Sequence, residues 1–124
     1  MAVVLPLLIV LCLAAVDLGR YAFISIALGN ASRVGAEWGA THRYDVANNA
    51  AWRAKLDEAV RAEFTAEADI APALLATEIT VTADSYSLPR IEVRAEYPWN
   101  TIVTWPMIPR PLILEHTTVI RRYR

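Results

Sequence analysis

A chain of 124 residues with twelve basic and thirteen acidic side chains, for a formal charge of −1, has room for one small domain. It offers no basic field to hold a nucleic-acid backbone. Its single cysteine, Cys12, lies inside an apolar run, which excludes an intramolecular disulfide and a thiolate metal site.

The first predicted element is one helix over residues 1–41. Residues 2–16 carry no charge, and at about 1.5 Å per residue they reach about 22 Å, short of the ~30 Å hydrocarbon layer of a bilayer. Continuing through Asp17-Leu18-Gly19-Arg20 to Leu28 makes up the length. That requires Asp17 and Arg20 to sit at the bilayer edge, to snorkel, or to pair, as i and i+3 positions on one helix face can. Tyr21 and Phe23 then read as interfacial anchors, and Pro6 is tolerable where neighbouring groups satisfy the carbonyl it frees. The rival reading is a cleaved signal peptide with Ala14-Ala15 as its small-residue exit. No basic residue precedes the run, however, and bulky Leu13 stands where that rule wants alanine. Arg20, Arg33 and Arg43 all follow the run, so the positive-inside rule taken literally leaves the rest of the chain in the cytoplasm.

Beyond Arg20 the helix turns amphipathic, with Ile24, Leu28, Ala31, Val34 and Trp38 as the expected buried stripe. Along the i+4 row, Gly19, Ala27, Ala31, Gly35 and Gly39 are small, with Ser32, Ala36 and Ala40 beside them. Each glycine in a helix interior costs about 1 kcal/mol relative to alanine, so a row that keeps them predicts close packing of another backbone. Either the chain's own sheet lies across this face, or the stems of neighbouring subunits pack there.

Residues 41–47 read as a linker. Asn48 or Asn49 then caps a second, surface helix reaching about Ala68, with Trp52, Leu56, Val60 and Phe64 at i+4 spacing on its buried face. Residues 69–72 close it, with Pro72 as the stop. Residues 77–83 alternate with Ile79 and Val81 inward. Residues 90–97 alternate more strictly, with Ile91, Val93, Ala95 and Tyr97 opposed to Arg90, Glu92, Arg94 and Glu96. These form a hairpin with a longer loop over residues 84–89, and a less regular third strand runs over residues 114–122. Between strands two and three lies an apolar segment with four prolines and two tryptophans, including Trp99, Trp105, Pro106 and Met107. It either closes over the sheet as a lid or presents an aromatic patch to a partner. The expected class is α+β: a long N-terminal transmembrane and amphipathic helix (1–41), then a small head (42–124) made of a second surface helix and a three-stranded antiparallel sheet.

No catalytic constellation, cofactor site or metal site is expected. His42 and His116 are far apart in sequence, and Glu115 and His116 on one strand point to opposite faces. Phosphate-cradling glycine loops, nucleophile elbows and paired cysteines do not occur.

At Ala2-Val3-Val4-Leu5-Pro6-Leu7-Leu8, then Asp17-Leu18-Gly19-Arg20, then Asn30-Ala31-Ser32-Arg33-Val34-Gly35-Ala36, the chain resembles the TadE family of pseudopilins, minor components of tight-adherence (Flp-type) pilus machines. The tail Thr117-Thr118-Val119-Ile120-Arg121-Arg122 also resembles the family's last strand. The resemblance implies a pilin-like lollipop, single-pass in the inner membrane with its head in the periplasm, and incorporated into or assembling an adhesive pilus. Its implied partners are other pilus subunits, the inner-membrane assembly platform and membrane lipid, with no small-molecule substrate. Family members carry a short leader and a glutamate before an apolar residue whose place Met1 takes here, so the resemblance implies a basic leader and a peptidase site upstream. The alternative is a secreted or membrane-tethered binding module whose apolar run is removed.

Overall fold

The computed structural model describes residues 4–44, 48–68, 72–83 and 88–122. Parts of the expected linker (45–47), of the stop after the second helix (69–71) and of the hairpin loop (84–87) lie outside these.

Helix α1 runs Val4–Thr41 without a break. Every large apolar side chain across residues 4–16 is exposed, and Leu18, Tyr21, Phe23 and Ile26 continue that surface along one side. On the other side the buried residues are Asp17, Ile24, Ala27, Leu28, Ala31, Ser32, Gly35, Ala36 and Gly39. Among the described residues, α1 is the one helix long and apolar enough to cross a membrane.

Helix α2 (Asn49–Ala68) doubles back along the upper half of α1. The register is set by Gly39 lying beside Trp52 and Leu56, and Gly35 beside Leu56 and Val60. Its i+4 set is buried as a unit, with Leu56, Val60 and Phe64 fully enclosed and Trp52 nearly so. A 3-10 turn (Pro72–Leu74) leads into strand β1 (Ala76–Ala83), followed by β2 (Pro89–Trp99) and β3 (Leu112–Arg121) in an antiparallel sheet of order β1-β2-β3. The centre strand carries the strictest alternation, and Ile91, Val93, Ala95, Tyr97 and Trp99 all face inward. Strand β3 begins earlier than its own composition indicated, because Leu112 and Ile113 pair with Trp99 and Pro98. The fold is therefore α+β, and the upper half of α1 shares one core with α2 and the sheet.

Polar bonds fasten the outer layer. Asp57 accepts from Arg61 Nε at 2.7 Å and from the Thr77 hydroxyl, while Arg53 donates to the Ile79 carbonyl and Arg61 Nη1 to that of Pro72 at 2.8 Å. Together they tie α2 to β1 and the turn before it. At the far end, His42 stacks on Trp38 with centroids 4.1 Å apart and places Nδ1 2.8 Å from the Trp38 carbonyl, closing the last turn of α1.

Ile24, Leu28 and Ala31 of the expected stripe are buried, and above them the buried face departs from it. Val34 and Trp38 lie on its flank, and the centre belongs to Ser32, Gly35, Ala36 and Gly39. The reason is proximity: α2 approaches so closely that only the smallest residues fit beneath it, and the large apolar side chains are displaced to the margin.

Candidate functional site at the junction of stem and head

Strand β2 runs down α1 toward its apolar end. Val93 lies by Gly35, and Trp99 packs edge-on against Tyr21 with centroids 5.7 Å apart. Strand β3 returns upward, His116 passing Gly29 and the Thr118 hydroxyl reaching Ser32 Oγ at 2.8 Å. Ser32 donates its one proton to the Gly29 carbonyl at 2.9 Å, so Thr118 is the donor to Ser32. This topology delivers the β2–β3 loop, residues 100–111, to the point where the head ends and the bare stem begins.

Asp17 sits at that point, 4% exposed. Oδ1 accepts the Ile102 N–H at 2.8 Å, and Oδ2 accepts the Val103 N–H at 3.3 Å and the Trp105 indole N–H at 3.1 Å. Arg20, the partner expected from the i, i+3 spacing, stands 3.7 Å from Oδ1 with its side chain 45% exposed. It balances charge, whereas the loop supplies the hydrogen bonds. A carboxylate buried beside an apolar helix surface is costly unless its lone pairs are met, and three donors reached across the fold meet them here. The loop is itself braced by Arg110, which donates to the Thr104 hydroxyl at 2.9 Å and to the Thr101 carbonyl.

Within the expected partner loop, the two aromatic residues and the tip part company. Trp99 is buried and Trp105 half-buried on the stem, while Pro106 and Met107 are exposed, Met107 almost completely at 94%. Between loop and stem runs an open groove of about 510 Å³ lined by Ala14, Asp17, Leu18, Tyr21, Trp99, Thr101, Trp105, Ile108 and Leu112.

The small-residue row divides in the same way. A Cβ at Gly35 would fall 2.3 Å from Val60 Cγ2, and one at Gly39 2.9 Å from Leu56 Cδ1, whereas at Gly19 nothing lies within 4 Å. Ala27 and Ala31 are buried with them under the head. Four members of the row thus receive the chain's own head, and Gly19 alone faces open space. His42 and His116 stand at opposite ends of the upper stem, and among the described residues no group of three or more His, Cys, Asp or Glu side chains is placed to hold a metal ion.

The meeting of Asp17 with residues 102–105 was not anticipated from the sequence. Two signals pointed toward it: a lone carboxylate in an apolar helix needs donors, and a loop rich in proline and tryptophan leaves backbone N–H groups unused by any ladder.

Neither a curated protein nor a solved structure matches the chain. Its first 37 residues, from the apolar run through Asp17 and Arg20 to Glu37, match the family model described as TadE-like protein.

Proposed function

We propose that the chain is a TadE-like pseudopilin: a non-catalytic, membrane-anchored minor pilin that supports assembly of a tight-adherence pilus. The observation that carries this reading is the TadE-like match over residues 1–37, falling on a helix that is apolar and exposed below and capped by a small α+β head above. That arrangement has the outline of a pilin, a greasy stem continuous with the core helix of its head. In this reading the head lies in the periplasm, and the partners are other pilus subunits and the inner-membrane assembly platform.

The stem's continuity has a mechanical use. Because α1 is one helix through both parts and Asp17 ties the lowest loop of the head to it, a load on the stem is transmitted to the head without a hinge.

The test is purification of sheared pili from cells expressing the tagged chain, alongside a deletion strain. Co-purification, or loss of pili and of surface attachment on deletion, supports the reading. Intact pili and unchanged attachment without the chain refute it. A mature N-terminus near Val16, read by mass spectrometry of the membrane and secreted fractions, would assign the chain instead to secreted binding modules.

A further inference from the structure

We propose that the groove between α1 and the 100–111 loop is a phospholipid seat, and that the loop tip is immersed in the head-side leaflet of the membrane. The proposal rests on reading α1 as a membrane anchor and adds a second, unannounced membrane contact made by the head itself.

Three observations converge on it. The first is level. The groove's stem wall is Ala14, Leu18 and Tyr21, and Leu18 and Tyr21 belong to an exposed apolar surface that runs over residues 4–26, about 34 Å at 1.5 Å per residue and enough to cross the ~30 Å hydrocarbon layer. A helix embedded to that extent carries the loop beside it into the leaflet. The charge that would oppose this, Asp17, is turned inward onto three donors, and Arg20 is long enough to reach the headgroups.

The second is the surface of the loop. Ile102, Met107 and Ile108 are exposed, an expensive arrangement in water and a favourable one in lipid. Trp105 and Tyr21, with Arg20 at Asp17 and Arg110 on the loop, compose an aromatic and basic set of the kind that lies at headgroup level.

The third is chemical. Trp99 and Thr101 both line the groove, only 5% and 4% exposed, and Trp99 Nε1 and Thr101 Oγ1 have no hydrogen-bond partner. Both atoms are themselves covered, so they stand just behind the groove wall as an indole N–H and a hydroxyl for an ester carbonyl of a glycerophospholipid, whose acyl chain would follow Leu18 and Ala14 down the stem. A second copy of the chain would bring an apolar stem but no acceptors, since its helix carbonyls are bonded within the helix.

The test uses the full chain carrying Cys12→Ala, with a nitroxide on a single introduced cysteine, in vesicles of equimolar phosphatidylethanolamine and phosphatidylglycerol. Labels at Met107→Cys, Leu8→Cys and Lys55→Cys are compared for collision with oxygen, which concentrates in lipid, and with a water-soluble nickel chelate. The expected result is a lipid-like oxygen preference at positions 107 and 8 and the opposite at 55. A water-like label at 107 with a lipid-like label at 8 overturns the proposal and leaves the anchor standing, whereas a water-like label at 8 removes both. A label at 107 shielded from both reagents, with spin–spin broadening as protein density rises, assigns the surface to a second copy and also overturns it. Acyl-brominated phospholipids provide the independent reading. They are expected to quench tryptophan emission, with much of the quenching lost when Trp99→Phe and Trp105→Phe are combined, because both line the groove while Trp38 and Trp52 lie at the far end of the head. Absence of quenching in the parent chain overturns the proposal.

Discussion

Replacing Gly35 by alanine puts a methyl group where α1 and α2 nearly touch: 2.3 Å from Val60 Cγ2, 3.4 Å from Leu56 Cδ2 and 3.6 Å from Val93 Cγ1. Carbon atoms settle about 3.5–4.0 Å apart, so Val60 has to retreat by about 1.2 Å or more. Val60, Leu56 and Val93 are each completely buried, and the β-branched Val60 has few rotamers to retreat into. Overpacking of this kind costs about 1–3 kcal/mol, while alanine returns about 1 kcal/mol of helix propensity. The net expectation is a loss of up to about 2 kcal/mol. Gly19→Ala gains the same propensity with nothing within 4 Å to meet the new methyl. The propensity term therefore cancels between the two variants, and the remaining gap of about 1–3 kcal/mol isolates the packing. The measurement is denaturant unfolding of the full chain in mild detergent, followed by tryptophan fluorescence and far-UV circular dichroism, comparing midpoints at equal slope. In Gly35→Ala with Val60→Ala the crowding atom is gone, so the pair should be less destabilised than the sum of the singles, with a coupling of about 0.5–3 kcal/mol. Equal stability of Gly35→Ala and Gly19→Ala, or strict additivity of the pair, would refute the close approach of the two helices.

Phe64→Ala, at a fully buried position 5.2 Å by ring centroid from Tyr97, is expected to lose about 3–5 kcal/mol in the same unfolding assay; a loss below about 1 kcal/mol would contradict its place in the core. Asp17→Asn keeps the shape but removes the charge that draws the loop's donors, so hydrogen exchange at the Ile102 and Val103 amides should accelerate while the β2 amides of Val93 and Ala95 stay protected. Unchanged exchange at 102 and 103 would show that the clamp does not hold the loop. Glu37→Gln breaks an ion pair with Arg33 whose side chains are 53% and 72% exposed, and should shift stability by less than about 0.5 kcal/mol.

Local periodicity carried most of the architecture. In α2 the i+4 recurrence of Trp52, Leu56, Val60 and Phe64 marks one helical face whatever lies above it, and that face is the buried one. In β2 the alternation of Ile91, Val93, Ala95 and Tyr97 with charged neighbours is the signature of a strand with one wet side, and its buried positions are those residues with Trp99. The uncharged run over residues 2–16 likewise declares an apolar stem from composition alone. These signals survive without tertiary information because each is a property of consecutive residues in one element.

What covers each face is a different kind of question. The glycine-alanine row announced close packing but not its partner, and the fold assigns Gly35 and Gly39 to α2 while leaving Gly19 open. Glycines with one local signature thus have opposite surroundings. Asp17 and Arg20 pair acceptably by spacing, but the hydrogen bonds to Asp17 come from Ile102, Val103 and Trp105, more than eighty positions along the chain. No periodicity links residues so distant; they meet because β2 descends α1 and β3 climbs back, so that the loop between them turns at the mouth of the stem. Composition and period by themselves determined the helices, the strands and the apolar stem. The sheet's direction along α1 decided the rest, because loop position and helix-face occupancy are properties of how elements pack and are written in no single one of them.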